Sequence, residues 1–133
     1  MNYRSSVEII TEWDIVAARQ LGRNEAKKAG FGTVDQARIT TAISELARNI
    51  YLYAGKGRIE IERVTDDGMF GIKIVASDDG PGIQDLRKVM EDGYTTSGGL
   101  GAGMPGVKRL MDEFKVISEP GKGTTITATK WLH

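Results

Sequence analysis

The chain has 133 residues, 40% of them apolar, and its 18 Lys and Arg balance 18 Asp and Glu, which fits one ordinary domain with a real core and argues against a nucleic-acid-binding protein. There is no cysteine and the lone histidine is His133, which removes disulfides, thiolate metal sites and cysteine nucleophiles and argues against a histidine-based triad. No apolar run approaches the roughly 18 residues of a membrane span, and the N-terminus MNYRSSVEIITEWD mixes charges into its apolar residues, so a cytoplasmic setting without a secretory signal is expected.

The segment VEIITE, Val7 to Glu12, reads as a short strand. Trp13 to Ala29 reads as a helix, with Asp14 in its first turn and Gly30 beyond its end. The strongest helical pattern spans Thr33 to Tyr53, where Ile39, Ala42, Ile43, Leu46, Ala47 and Ile50 form one apolar stripe. Thr33 or Asp35 suits its cap, and AGKG ends it. The period then changes to two. RIEIERV and FGIKIVA alternate apolar and polar residues about Asp67-Gly68, a strong hairpin signal. Val107, Leu110, Met111 and Phe114 mark another amphipathic helix, and FKVIS and TTITATKW read as strands flanking the turn EPGKG. Hairpins with separate helices predict an α+β fold: a two-layer sandwich with one mixed, mostly antiparallel sheet and helices on one face, as a single domain over 1–133.

TTSGGLGAGMPG, Thr95 to Gly106, contains five glycines. Gly101, Gly103 and Gly106 match the letters of a dinucleotide fingerprint, and Glu119 stands where a ribose-binding acid belongs. That motif must follow a buried strand, whereas LRKVMEDGYTTSG precedes it here. A P-loop also fails, since Gly121-Lys122 is followed by glycine and Val116 takes the place of its first glycine. A flexible linker explains the glycines but not Pro105, which suits a first helical turn and leads directly into GVKRLMDEF. A glycine-rich loop entering a helix N-terminus presents backbone N–H groups and a positive dipole end to an anion.

Three further segments can complete such a site. Glu45-x-x-x-Asn49 puts an acid and an amide on one helix face beside the apolar stripe. Taken alone the pair is an ordinary solvated face. As a site, the Asn49 carbonyl oxygen suits Mg²⁺ and the Glu45 carboxylate can orient or deprotonate a nucleophile. SDDGPGI places Asp78, Gly80 and Gly82 directly after an apolar strand. The plain reading is a turn, but a partly buried aspartate needs donors, and an adenine amino group is one. GKGTT is a hairpin turn that brings Thr124 or Thr125 to support that contact.

In order, E-x-x-x-N, D-x-G-x-G, G-x-G-x-G and G-x-G-T resemble the four boxes of the GHKL (Bergerat-fold) ATPase superfamily, which includes gyrase B, Hsp90, histidine kinases and MutL. SELARN, DDGPGI, TTSGGLGAGMPGVKRLMDEF and GKGTTITATKW resemble most closely its anti-sigma-factor kinase branch, in particular the stressosome switch kinases. The resemblance implies a protein serine/threonine kinase using ATP and Mg²⁺. It implies Glu45 as general base, Asn49 as Mg²⁺ ligand, and Asp78 as partner of the adenine amino group. Gly80 and Gly82 would shape the adjoining loop, Gly99, Gly101 and Gly103 would touch phosphates from a lid, and Thr124 or Thr125 would support the base. It also implies partners: STAS-domain substrates of the RsbS and RsbR type and a PP2C-type phosphatase regulator of the RsbU type, with no nucleic acid and no membrane. A partner-binding module in which nucleotide only sets affinity is the competing expectation. The chain departs from the branch in having no Lys or Arg between Lys88 and Lys108, so Thr95, Thr96, Ser97, backbone amides and Mg²⁺ are expected to carry the charge stabilisation there.

Overall fold

The computed structural model describes residues 4–80 and 103–132. Strand β1 (Arg4–Ile9) leads into helices α1 (Glu12–Ala29) and α2 (Thr33–Asn49), then a π-helical turn (Ile50–Ala54). The β2 (Gly57–Asp66) and β3 (Met69–Asp78) strands follow; α3 (Gly103–Leu110), β4 (Glu113–Glu119) and β5 (Gly123–Trp131) complete the elements of the described residues. The five strands form one sheet in the order β1-β2-β3-β5-β4, and each adjacent pair is antiparallel. The helices cover one face, so the two-layer α+β sandwich expected from the sequence is the observed architecture.

Local chemistry explains the element boundaries. The Asp14 carboxylate accepts hydrogen bonds from the Ile10 and Thr11 backbone N–H groups at 2.9 and 2.8 Å, and these bonds hold its pKa below the usual aspartate value. They turn the chain into α1, which is why β1 ends at Ile9 rather than running to Glu12. The helix closes at Gly30, whose φ of 99° lies in the left-handed region. The helical pattern predicted to reach Tyr53 instead changes to π geometry after Asn49, and the wider turn keeps Ile50 buried. Phe114, counted in the sequence with a helical stripe, belongs to β4. The chain is captured by β5 immediately after α3: the Asp112 N–H donates to Thr129 O at 2.9 Å and the Asp112 carboxylate accepts from the Trp131 N–H at 2.7 Å.

Register fixes the two faces of the sheet. Ile59, Ile61, Ile72, Ile74, Ala76, Ile126 and Ala128 point to the helices and are buried, along with Ile39, Ile43, Leu46 and Val107 from the helical layer. Gly22 leaves no room for a methyl group beside Ile43 Cδ1, so α1 and α2 approach closely at that level. At the far end of β5 the buried Lys130 ammonium donates to Leu110 O at 3.2 Å and lies 3.6 Å from Asp112 and 3.8 Å from Asp35. A cation at the last carbonyls of α3 suits its dipole, and the contact anchors α3 to the start of α2. No helix among the described residues is long and apolar enough to cross a membrane.

Candidate functional site

The antiparallel register brings the start of β2, the end of β3 and the start of β5 to one end of the sheet, where Asp78 lies opposite Gly57 on one side and Thr124 on the other. The Asp78 carboxylate accepts a hydrogen bond from the Gly80 N–H at 2.9 Å and another from the Thr124 N–H. Burial nevertheless raises its pKa above the ordinary aspartate value; the two N–H bonds oppose that shift and the neighbouring Asp79 adds to it. A half-buried carboxylate with lone pairs to spare is an acceptor for a donor-bearing ligand.

Close backbone approaches build this end. A side chain at Gly57 would meet Ser77 O at 2.5 Å and Ile50 Cγ2 at 2.7 Å, and one at Gly80 would meet Ala54 Cβ at 2.6 Å. The π-helical turn therefore sits directly against the Asp78 segment. Gly123 has φ of 99° and its added Cβ would run into the Asp78 carbonyl oxygen. Gly123→Ala is expected to destabilise the fold by about 2 kcal/mol or more, since left-handed strain and an immovable backbone clash combine. Urea unfolding checks this, and an unchanged midpoint would refute it.

Thr124 faces the helices beside Asp78, and its hydroxyl lies 2.9 Å from that of Ser118 on β4. The Ser118 hydroxyl also donates to Gly123 O at 3.2 Å. Thr125 pairs with Ser77 and so stands on the opposite face of the sheet, away from Asp78. Between the two threonines named from the sequence, only Thr124 is placed with the other candidate groups.

Glu45 and Asn49 lie one turn apart near the C-terminal end of α2, both half-buried beside the stripe of Ala42, Ile43, Leu46 and Ala47. Asn49 is the last α-helical residue, and the adjoining π-helical turn links it to the Gly57–Asp78 contact through Ile50. Neither side chain has a hydrogen bond or ion pair among the described residues. An unengaged amide oxygen fits a hard cation that keeps most of its water, so Asn49 can hold Mg²⁺; an unengaged carboxylate fits a base. Gly82, Thr96, Ser97, Gly99 and Gly101 lie outside the described residues, as does Thr95, and Gly103 opens α3. Met104, Val107 and Met111 secure the described helix in the core. Ser118 stands opposite Thr124 across the β4–β5 ladder.

Residues 34–133 match the family profile described as histidine kinase-, DNA gyrase B-, and HSP90-like ATPase. The chain is 75% identical over 133 residues to the serine/threonine-protein kinase RsbT of Bacillus subtilis, covering 100% of both chains. It is 34% identical over 100 residues to an anti-sigma F factor of Caldanaerobacter subterraneus, covering 71% of this chain and 68% of that one. Among solved structures, the RsbU and RsbW domains of Rv1364c from Mycobacterium tuberculosis superpose with a TM-score of 0.64 at 20% identity, covering 98% of this chain and 32% of that one. That last likeness is one of fold.

Proposed function

We propose a function from one premise: the chain belongs to the histidine kinase-, DNA gyrase B- and HSP90-like ATPase family. It acts as an ATP-dependent serine/threonine protein kinase in a cytoplasmic partner-switching cascade. The observation that carries this reading is full-length similarity to a serine/threonine kinase, supported by a chain in which Asp78 pairs with Thr124 at one end of the sheet and Glu45 and Asn49 lie one turn apart near the C-terminal end of α2.

Each group has a role in that reaction. The Asp78 carboxylate accepts from the adenine amino group, with Thr124 beside it. Asn49 offers its amide oxygen to Mg²⁺, which when bound neutralises charge on the phosphates. Glu45 receives the proton of the acceptor hydroxyl as that oxygen bonds to the γ-phosphorus and the bond to the departing ADP breaks. Gly80, Gly82, Gly99, Gly101 and Gly103 let backbone approach the nucleotide, and Thr96 and Ser97 supply hydroxyls near the phosphates.

The substrates are STAS-domain proteins, and the released kinase engages a PP2C-type phosphatase regulator. The test is incubation with γ-labelled ATP, Mg²⁺ and a purified STAS-domain protein. Label on serine or threonine of that protein is the expected result. A tight nucleotide-dependent complex with no transferred label would favour the second reading, a partner-binding module, which similarity to proteins named anti-sigma F factor supports.

A further inference from the structure

We infer that the buried Lys130 is a positioning residue for phosphoryl transfer. From the end of the sheet remote from Asp78, its ammonium fixes α3, which opens at Gly103, against α2, which carries Glu45 and Asn49. This assignment rests on the kinase reading above and deepens it.

Lys130 is 7% exposed, and a buried ammonium is costly unless partners compensate it. It stands on β5 opposite Ile72, on the helix-facing side of the sheet. Its ammonium donates to Leu110 O, in the last turn of α3, at 3.2 Å. It lies 3.8 Å from the Asp35 carboxylate, in the first turn of α2, and 3.6 Å from the Asp112 carboxylate, just beyond α3. One cation therefore ties β5, α3 and α2 at a single point. The same three elements carry Thr124, Gly103, and the Glu45–Asn49 pair.

This tie is directional where the packing around it is not. Met104, Val107 and Met111 seat α3 in the core through apolar contacts, and the hydrophobic effect has no preferred direction. Among the described residues a groove remains between the two helices at this level, lined by Leu110 and by Thr33, Val34, Ala37, Arg38 and Thr41. Without the ammonium, α3 is free to slide or turn against α2, and a shift at its last turn is passed along the helix to Gly103. The spacing between Gly103 and the Glu45–Asn49 pair then changes. The base end is spared, because Thr124 lies at the other end of β5, about 20 Å away at the rise of a strand, and pairs with Asp78 through the ladder itself. Loss of Lys130 should accordingly misalign the phosphates and the proton acceptor while leaving adenine recognition intact.

The test uses Lys130→Met in the full chain, which keeps the length of the side chain and removes its charge. Asp112 retains the Trp131 N–H at 2.7 Å and Asp35 retains Arg38 at 2.9 Å, so both carboxylates keep a partner. Single-turnover transfer from γ-labelled ATP to a purified STAS-domain protein, at saturating ATP, should fall by about ten- to a hundredfold, the scale of a small misplacement remote from the chemistry. Titration calorimetry should show adenosine affinity unchanged and the ATP-over-adenosine affinity ratio lowered. Asp35→Asn should lower transfer in the same direction and by less. The double variant should be no slower than Lys130→Met alone, since both changes act through one contact. If methionine unfolds the chain, Asp35→Asn decides by the same readouts. Transfer at the wild-type rate, or ATP and adenosine weakened by one common factor, would overturn the inference alone. Wild-type protein that binds no ATP, or binds it and labels no STAS-domain protein, would overturn the kinase reading with it.

Discussion

Asp78→Asn is expected to weaken ATP binding about a hundredfold while leaving the chain folded. A hydrogen bond to a charged acceptor contributes about 1.5–3 kcal/mol, and the asparagine amide would also turn a donor toward the adenine amino group. Folding is spared because burial already disfavours the Asp78 charge, so losing it offsets the loss of an acceptor for the Gly80 and Thr124 N–H groups. Calorimetric titration with ATP and a thermal melt measure both halves, and an unchanged ATP affinity would remove Asp78 from its assigned role. A pH dependence goes with it. The folded carboxyl holds its proton to higher pH than the unfolded chain does. This group therefore favours the fold at low pH and withdraws that contribution as pH rises through the folded pKa. ATP binding runs the other way, failing on the acid side from a higher pH than an ordinary aspartate would give.

The second large effect is expected at Glu45. Glu45→Gln should lower the rate of phosphoryl transfer to a STAS-domain substrate by about 10²–10⁴-fold, the usual contribution of a positioned base, with ATP affinity close to wild type. Glutamine keeps the size and polarity of a half-buried side chain that has no described partner to lose, so stability should hardly move. Single-turnover transfer under saturating ATP is the discriminating measurement. Transfer at the wild-type rate would mean that the acceptor hydroxyl gives up its proton elsewhere.

Parts of this molecule are legible in the amino-acid sequence alone. Asp67-Gly68 marks the β2–β3 hairpin, and both residues have positive φ, at 51° and 81°, as a two-residue hairpin turn requires. The Glu45–Asn49 pair is legible because helical spacing alone decides which residues share a face. The end of α2 is not legible: the apolar stripe runs on through Ile50, and the change to π geometry accompanies a contact with Gly80, distant in sequence. Nor can composition choose between Thr124 and Thr125, since a one-residue change of register exchanges the faces of a strand. The insertion of β5 between β3 and β4 is a long-range choice that local pattern does not encode. The glycine-rich stretch that points to phosphate chemistry includes Gly99 and Gly101, which lie outside the described residues, so its role belongs to the proposal.

The sheet order has a kinetic side. The β2–β3 and β4–β5 pairs are local hairpins, but the β3–β5 ladder joins segments far apart in the chain. Closing it costs the most loop entropy of these three pairings, and such contacts slow folding. Asp78 and Thr124 face each other across that ladder, so this end of the sheet comes into existence only when the non-local pairing closes. A nucleotide gripping both residues would bind the closed state and not its open precursor. It would act as a staple on the C-terminal hairpin, prolonging the life of the folded chain without hastening its formation.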